Sequence, residues 1–243
     1  MRKFLLTALA LVFVVSNVFA ASEINVKAGF DIFDALDGTM KTHSTLNYDD
    51  ITVSDKDYID SISGNGTGYS LFSEYLYQPV NSKYKFGFGL GYILTNDVSL
   101  KISDNEAKDS DKSGIRPTLQ YIPIYITVQV NPFDLAKGVF FKGNIGYSFF
   151  HLNWNKNFEE LFGDSNTRES LNGGFYGELA AGYEFSYGLI LQLSYSFITS
   201  WAEYKFRTPG VDDITPWEAN GKQTFNFSYH KIGISLGYKF KFL

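Results

Sequence analysis

Bulky apolar residues alternate with small or polar residues in long stretches of this chain. In YKFGFGLGYIL (84–94) Tyr, Phe and Leu side chains occupy every second position, and SLGYKFKFL (235–243) shows the same pattern. A helix cannot use a period of two, because its faces repeat every ~3.6 residues, whereas successive side chains of a strand point to opposite faces. The pattern therefore predicts an all-β protein.

Eight segments of the chain show this period. Each is long enough to cross a bilayer as a tilted strand, for which about 9–11 residues suffice. They are residues 24–33, 67–78, 84–95, 118–131, 139–152, 173–186, 188–199 and 227–242.

The connections between these segments alternate in length. Those after the first, third, fifth and seventh segments are long, and those between are short: 79–83, 132–138 and a tight turn at Tyr187. All long loops then emerge at one rim and all tight turns at the other, as in outer-membrane barrels. The sequence predicts an eight-stranded antiparallel up-and-down transmembrane β-barrel with short periplasmic turns and four long extracellular loops at 34–66, 96–117, 153–172 and 200–226.

The two faces of each predicted strand differ in size. In segment 188–199, Leu191, Leu193 and Tyr195 alternate with Gln192 and Ser194. An eight-stranded barrel is only just wide enough for side chains to fill its interior. We therefore expect the large face to contact lipid, and glycine, serine and a few charged residues to fill the lumen.

Segment 118–131 contains a proline. Pro123 cannot donate a ladder hydrogen bond. We expect a bulge or a local irregularity there.

The N-terminus resembles an export signal. Arg2 and Lys3 precede an apolar run at 4–15, and SNVFA (16–20) follows, with small residues at Ala20 and Ala21. This order predicts a cleaved signal peptide at 1–20, with the barrel domain at 21–243 and an outer-membrane location. The apolar run is too short to span a bilayer, which takes about 20 residues.

Composition excludes several classes of function. The chain has no cysteine, which rules out disulfides and thiolate metal sites, and its net charge of −5 argues against a nucleic-acid partner.

We identify no catalytic, cofactor-binding or metal-binding residues. The chain has three histidines, His43, His151 and His230. None of them has a serine and a carboxylate in the arrangement that acyl transfer needs. The loop that begins at Asp109 has Gln120 where a calcium loop needs a bidentate glutamate. The acidic first loop is either a solvated surface or a site for divalent ions or basic host surfaces; the sequence leaves both open.

Several phrases resemble conserved strands of a known superfamily: GLGY, IPIYITVQVNPF and GNIGYSF. They are similar to the eight-stranded bacterial outer-membrane barrels (OmpA/OmpX-like, Ail and opacity types, the "outer membrane protein beta-barrel domain"). The resemblance covers the chain after the signal peptide and implies outer-membrane lipids and the barrel-insertion machinery as partners. The C-terminal residues that resemble the family's assembly signal are Ser235, Gly237, Phe240 and Phe242.

Charged residues at inward positions form a predicted ion-pair network. By strand parity these residues are Lys27, Glu74, Lys142, Glu184 and Lys239. We expect Lys239 and Lys27 to flank Glu74, and Lys142 to pair with Glu184, because an unpaired buried charge is costly. The network predicts a plugged lumen that does not conduct ions.

The fourth predicted loop carries aromatic residues typical of recognition surfaces. The predicted surface-recognition residues are Trp217, Tyr204 and Phe206, whereas Trp201 and Phe225 are equally compatible with a membrane-interface position. We expect a monomeric, non-enzymatic barrel with a structural or adhesin-like role toward host or surface ligands. The alternatives are a small OmpW-like conduit for apolar solutes and a lipid A-modifying enzyme.

Overall fold

A computed structural model describes residues 20–48, 51–103, 118–133, 138–153, 168–212 and 215–242. The predicted signal peptide up to residue 19 and the calcium-like loop up to residue 117 lie outside the described residues. Within the described ranges, no helix is long and apolar enough to cross a membrane.

The described residues form nine β-strands. β6 and β7 are consecutive pieces of one wall strand, interrupted at Gly173, so the wall has eight strands. The strands are β1 (Ala20–Tyr48), β2 (Ile51–Pro79), β3 (Tyr84–Ser103), β4 (Thr118–Val130), β5 (Val139–Asn153), β6 (Arg168–Asn172), β7 (Gly174–Glu184), β8 (Leu189–Asp212) and β9 (Thr215–Phe242).

Antiparallel pairing runs around the whole wall and closes it. Consecutive strands pair from β1 to β5 and from β7 to β9, β5 pairs with β7, and β6 pairs with β8. β1 also pairs with β9, from Ser22 opposite Phe242 to Tyr48 opposite Trp217. The predicted eight-stranded antiparallel up-and-down barrel is confirmed. One end, the turn end, carries the tight connections, and we call the other the loop end.

The turn end follows the turn chemistry of the sequence. Asn81 adopts a left-handed φ of 60° in the turn where Ser82 N–H donates to the Pro79 carbonyl at 3.1 Å. Gly188 has a φ of 98° beside the predicted turn at Tyr187. Glycine and asparagine tolerate this conformation better than other residues.

At the loop end, strands extend into segments that we predicted as loops. β1 and β2 together span most of 34–66, and β8 and β9 span most of 200–226. The predicted loop lengths are therefore wrong for these two connections. Apolar alternation stops where lipid contact stops, but backbone pairing continues as long as a neighbouring strand supplies hydrogen bonds.

The outward face carries the large apolar side chains, as predicted. The exposed positions alternate along each wall strand with buried ones. Members of this apolar band include Phe30, Leu71, Phe86, Phe88, Leu90, Ile122, Ile124, Ile126, Ile145, Leu179, Leu191, Leu193, Leu236 and Phe240.

The lumen differs from our expectation, because it contains large rings as well as small and charged side chains. Tyr121, Tyr176 and Tyr229 are among the largest fully buried side chains. Glycines on neighbouring strands make the room: a Cβ at Gly89 would collide with the Tyr125 ring. The barrel interior therefore accommodates rings where a facing residue lacks a side chain.

Pro123 interrupts pairing without a bulge. It stands opposite Ser148 of β5 in unbroken register, but direct pairing with β3 is missing between Leu90–Ile124 and Ile93–Tyr121. The predicted local irregularity is present on one side only, because proline has no N–H to donate.

Candidate functional site

The lowest layer of the lumen is an ion-pair cluster at the turn end. Lys85, near the start of β3, lies 2.7 Å from Glu23 and 3.0 Å from Glu184. Lys239 lies 2.6 Å from Glu184 Oε2, and Glu184 Oε1, the oxygen closest to Lys85, also accepts a 2.7 Å hydrogen bond from Gln129. The carboxylates and lysines at this level are thus mutually paired.

The middle layer centres on Glu74. Its Oε1 lies 2.8 Å from Lys27 Nζ and 2.7 Å from Lys142 Nζ, and it accepts a 2.9 Å hydrogen bond from the Tyr125 hydroxyl. The side chains of Glu74 and Lys142 are each only 1% exposed. Gln192 Oε1 accepts from both lysines, at 3.1 and 2.9 Å. This geometry holds two cations on one carboxylate in a site without solvent access.

Glu178 forms a second carboxylate centre beside the first. Its Oε1 accepts a 2.9 Å hydrogen bond from Asn144 and lies 3.8 Å from Lys142. Its Oε2 accepts from the Tyr176 hydroxyl at 2.9 Å and from Ser196 at 3.2 Å. Lys142 therefore links the two carboxylate centres.

A third polar group lies toward the loop end. Asp31 and Lys231 form a buried ion pair of 2.7 Å. The Tyr229 hydroxyl donates to Asp34 at 3.1 Å and lies 2.8 Å from the Thr95 hydroxyl. Asp34 also accepts a 2.7 Å hydrogen bond from the backbone N–H of Gly66.

Aromatic rings fill the lumen around and above these polar groups. The Tyr121 and Tyr229 rings stack with centroids 5.6 Å apart. Tyr121 also packs on Phe150, which in turn packs on Phe227 at 5.9 Å. Such offset and tilted pairs are favourable arrangements of aromatic rings. The described side chains thus occupy the lumen in successive polar and aromatic layers.

The predicted lumen residues all lie inside the barrel, but they pair differently from our expectation. Lys27 does lie beside Glu74, whereas Lys142 takes the place we assigned to Lys239, which binds Glu184 instead. Lys142 stands opposite Ala180, so Glu184 lies four residues closer to the turn end. That offset is about 13 Å along a strand, too far for a direct pair.

Sequence reasoning missed several members of the network. They share the inward parity of the residues that we did identify, so strand alternation alone would have found them. They are Glu23, Lys85, Gln129, Glu178, Gln192, Asp31 and Lys231.

The proposed assembly-signal residues lie on β9. Ser235 and Gly237 stand opposite Gly29 and Lys27 of β1, and Phe240 and Phe242 are exposed on the outward face. Their role in recognition by the insertion machinery stays a prediction.

The three predicted recognition residues lie on strands and not in a loop. Trp217 stands opposite Tyr48 of β1, Tyr204 opposite Gln223, and Phe206 opposite Gly221. They belong to a paired sheet that continues beyond the aromatic layer. We call this part, residues 41–48, 51–59, 203–212 and 215–224, the sheet extension.

The histidines that we considered lie at separate places. His230 Nδ1 lies 2.7 Å from the Tyr195 hydroxyl, and its ring packs on Phe197 with centroids 4.8 Å apart. His151 is exposed near the end of β5. Among the described residues, no group of three or more His, Asp or Glu side chains could hold a metal ion.

Comparison with known proteins gives structural neighbours only. No family model matches the chain, and no curated protein matches its sequence. The fold is a closed antiparallel barrel of eight wall strands.

Solved structures that are similar to it include the following three. The outer membrane protein OprG of Pseudomonas aeruginosa is 14% identical, with a TM-score of 0.48, over 91% of this chain and 97% of OprG. Ail, the attachment invasion locus protein of Yersinia pestis, solved with the heparin analogue sucrose octasulfate, is 14% identical, with a TM-score of 0.38, over 92% and 100%. The outer membrane protease OmpT of Escherichia coli is 12% identical, with a TM-score of 0.37, over 90% and 97%.

Proposed function

We propose that this protein is an integral outer-membrane barrel that acts through surface interactions of its sheet extension, in an adhesin-like role. The observation that carries the proposal is the continuation of four neighbouring strands beyond the filled lumen. β1 pairs with β9 up to Tyr48 and Trp217, eight residues past Met40, which stands opposite Phe225 of the aromatic layer. That length is about 26 Å along a strand.

The apolar band supports the membrane placement. A ring of exposed Leu, Ile, Phe and Tyr side chains on a closed barrel has a favourable environment only in hydrocarbon. Because closure leaves no open edge in the wall, the backbone groups of neighbouring strands pair with each other and not with water.

The filled lumen supports surface interaction over transport. A solute path would have to displace stacked rings and separate buried ion pairs, of which Lys27–Glu74 and Lys231–Asp31 are each at most 2% exposed. Breaking one buried pair costs about 3–5 kcal/mol. Exposed side chains of the sheet extension such as Lys205 and Lys222, in contrast, are accessible without such a cost.

The test compares binding by the intact barrel and by a barrel with a shortened sheet extension. Wild type and a variant with 208–222 replaced by a Gly/Ser linker are refolded into nanodiscs and offered to cultured animal cells and immobilised matrix proteins. The control variant replaces 104–117 with a linker of the same kind. We expect binding by wild type and control, and loss of binding by the 208–222 variant. Equal binding by all three would refute a role of this hairpin.

A further inference from the structure

The sheet extension and the adjoining strand β6 carry basic residues at one cross-strand register. Arg168 of β6 stands opposite Lys205 of β8, Lys205 opposite Lys222 of β9, and Lys222 opposite His43 of β1. We call these four residues the basic row. Neighbouring strands are about 4.8 Å apart, so the row extends about 14 Å across the sheet.

The two lysines of the row lie on the face that contacts lipid lower down. On β9, Lys222 has the same parity as the exposed Ile232 and Leu236, whereas Phe225 and Phe227 have the opposite parity and are buried in the lumen. Lys205 likewise shares its parity on β8 with the exposed Leu193 and Tyr195. The outward face therefore continues from the apolar band up to the basic row.

The height of the row matches lipid headgroups. Trp201, exposed on the outward face of β8, is an aromatic of the kind that marks membrane interfaces. Lys205 follows four residues later, which is about 13 Å along the strand and about 10 Å in height at the usual tilt of barrel strands.

The row carries more positive charge than the described groups around it neutralise. Glu203 lies 2.9 Å from Lys222 and 3.1 Å from Lys205, and hydrogen bonds from these lysines lower its pKa. One carboxylate thus serves two lysines, which remain 46% and 60% exposed. At one end of the row, Arg168 of β6 adds a further positive charge. At the other end, Asp57 of β2 stands opposite His43.

Like charges directly opposite each other destabilise an antiparallel pair. Lys205 opposite Lys222 is such an arrangement. Glu203 offsets only one of the two positive charges, and a phosphate beside the lysines would offset the other. Lysine is a common phosphate binder, as a point charge with three donors.

We propose that the basic row binds the phosphate groups of glycolipid headgroups in the leaflet around the barrel. The inference rests on the membrane placement under the proposed function. The occupant is surrounding lipid and not a soluble polyanion, because Lys205 and Lys222 lie on the outward face above the apolar band.

The test uses the full barrel, without its signal peptide, in nanodiscs of three compositions. They are phosphatidylcholine alone, phosphatidylcholine with rough-type lipopolysaccharide carrying phosphorylated core sugars, and the same mixture after removal of the phosphates. The measurement is the temperature of unfolding, read from heat-modifiable migration in gels. We expect the phosphorylated lipid to raise this temperature, and added salt to reduce the rise because it screens exposed charges.

Variants connect the effect to the row. The double substitution Lys205→Gln and Lys222→Gln should lose most of the rise, while Glu203→Gln should keep or increase it. The matched control, Lys83→Gln with Lys241→Gln, removes two lysines near the turn end and should behave as wild type.

Three outcomes would overturn the proposal. The first is that phosphorylated lipid raises the unfolding temperature of the Lys205/Lys222 variant as much as that of wild type. The second is that dephosphorylated lipid raises the unfolding temperature of wild type as much as phosphorylated lipid does. The third is that heparin binds through the row in phosphatidylcholine discs while phosphorylated lipid causes no rise in the unfolding temperature. The last would assign the row to a soluble polyanion. Failure of wild type to fold in phosphatidylcholine would instead contradict the membrane placement, so the two failures are distinguishable.

Discussion

At the scale of residues, Glu74 holds the middle of the lumen together. It is the shared partner of Lys27 and Lys142, and it also accepts the Tyr125 hydroxyl. Its removal leaves two buried ammonium groups short of a counter-charge.

We predict that Glu74→Gln lowers the free energy of unfolding by about 3–5 kcal/mol, because buried charges lose their partner. Glu203→Gln is the matched control, since Glu203 also bridges two lysines but does so on an exposed face. Exposed pairs contribute at most about 1 kcal/mol. Urea titration of the refolded barrels in vesicles measures the free energy of unfolding of both variants. Equal decreases in the two variants would contradict the role of burial.

A glycine next to the same cluster tests the packing of the rings. A Cβ at Gly89 would collide with the Tyr125 ring, whose hydroxyl holds Glu74. We predict that Gly89→Ala costs about 1–3 kcal/mol, as overpacking does. Gly143→Ala is the control, because its Cβ would meet only Leu179 Cδ2 at 3.9 Å. The same urea titration measures the free energy of unfolding of both variants. If Gly89→Ala leaves it unchanged, the Tyr125 ring moves aside freely.

At the scale of elements, the barrel wall and the sheet extension depend on different interactions. The wall encloses ion pairs and stacked rings, whereas the outermost part of the β8–β9 hairpin lies beyond them. Residues 208–222 can therefore change without loss of the lumen contacts described here.

We predict that replacing 208–222 with a short Gly/Ser linker leaves the barrel folded. Loop length contributes little to closure entropy, and the lumen contacts remain. Heat-modifiable migration in gels should be as in wild type. A variant that runs only at the unfolded position would show that the sheet extension is required for folding.

At the scale of the whole molecule, the filled lumen bears on conduction. Paired charges and rings follow one another from Glu184 near the turn end to Tyr229 toward the loop end. We predict no steady ion conductance from the folded barrel in planar bilayers. Single-channel steps that disappear on heat unfolding would contradict this.

Export and the start of the mature chain are also properties of the whole molecule. The charged, apolar and small-residue order of residues 2–21 predicts a mature protein that begins at Ala21 and fractionates with outer membranes. N-terminal sequencing of the fractionated protein checks both points. Retention of Met1 in a soluble or inner-membrane fraction would be the contrary result.

Strand alternation was enough to predict which residues face inward and outward. Leu191 and Gln192 are neighbours in sequence and lie on opposite faces, as their parity requires. The all-β class, the number of wall strands and the apolar band follow from the same local rule, because side-chain direction in a strand depends on position alone.

Only the closed tertiary structure decided which inward residues meet. Lys142 binds Glu74 and not Glu184 because pairing with β7 places it opposite Ala180. Strand stagger and tilt around a closed wall set such heights, and no single strand contains that information. The same holds for the sheet extension: the polar residues of β1 and β9 lack apolar alternation, and they form strands because each supplies the other's backbone partners.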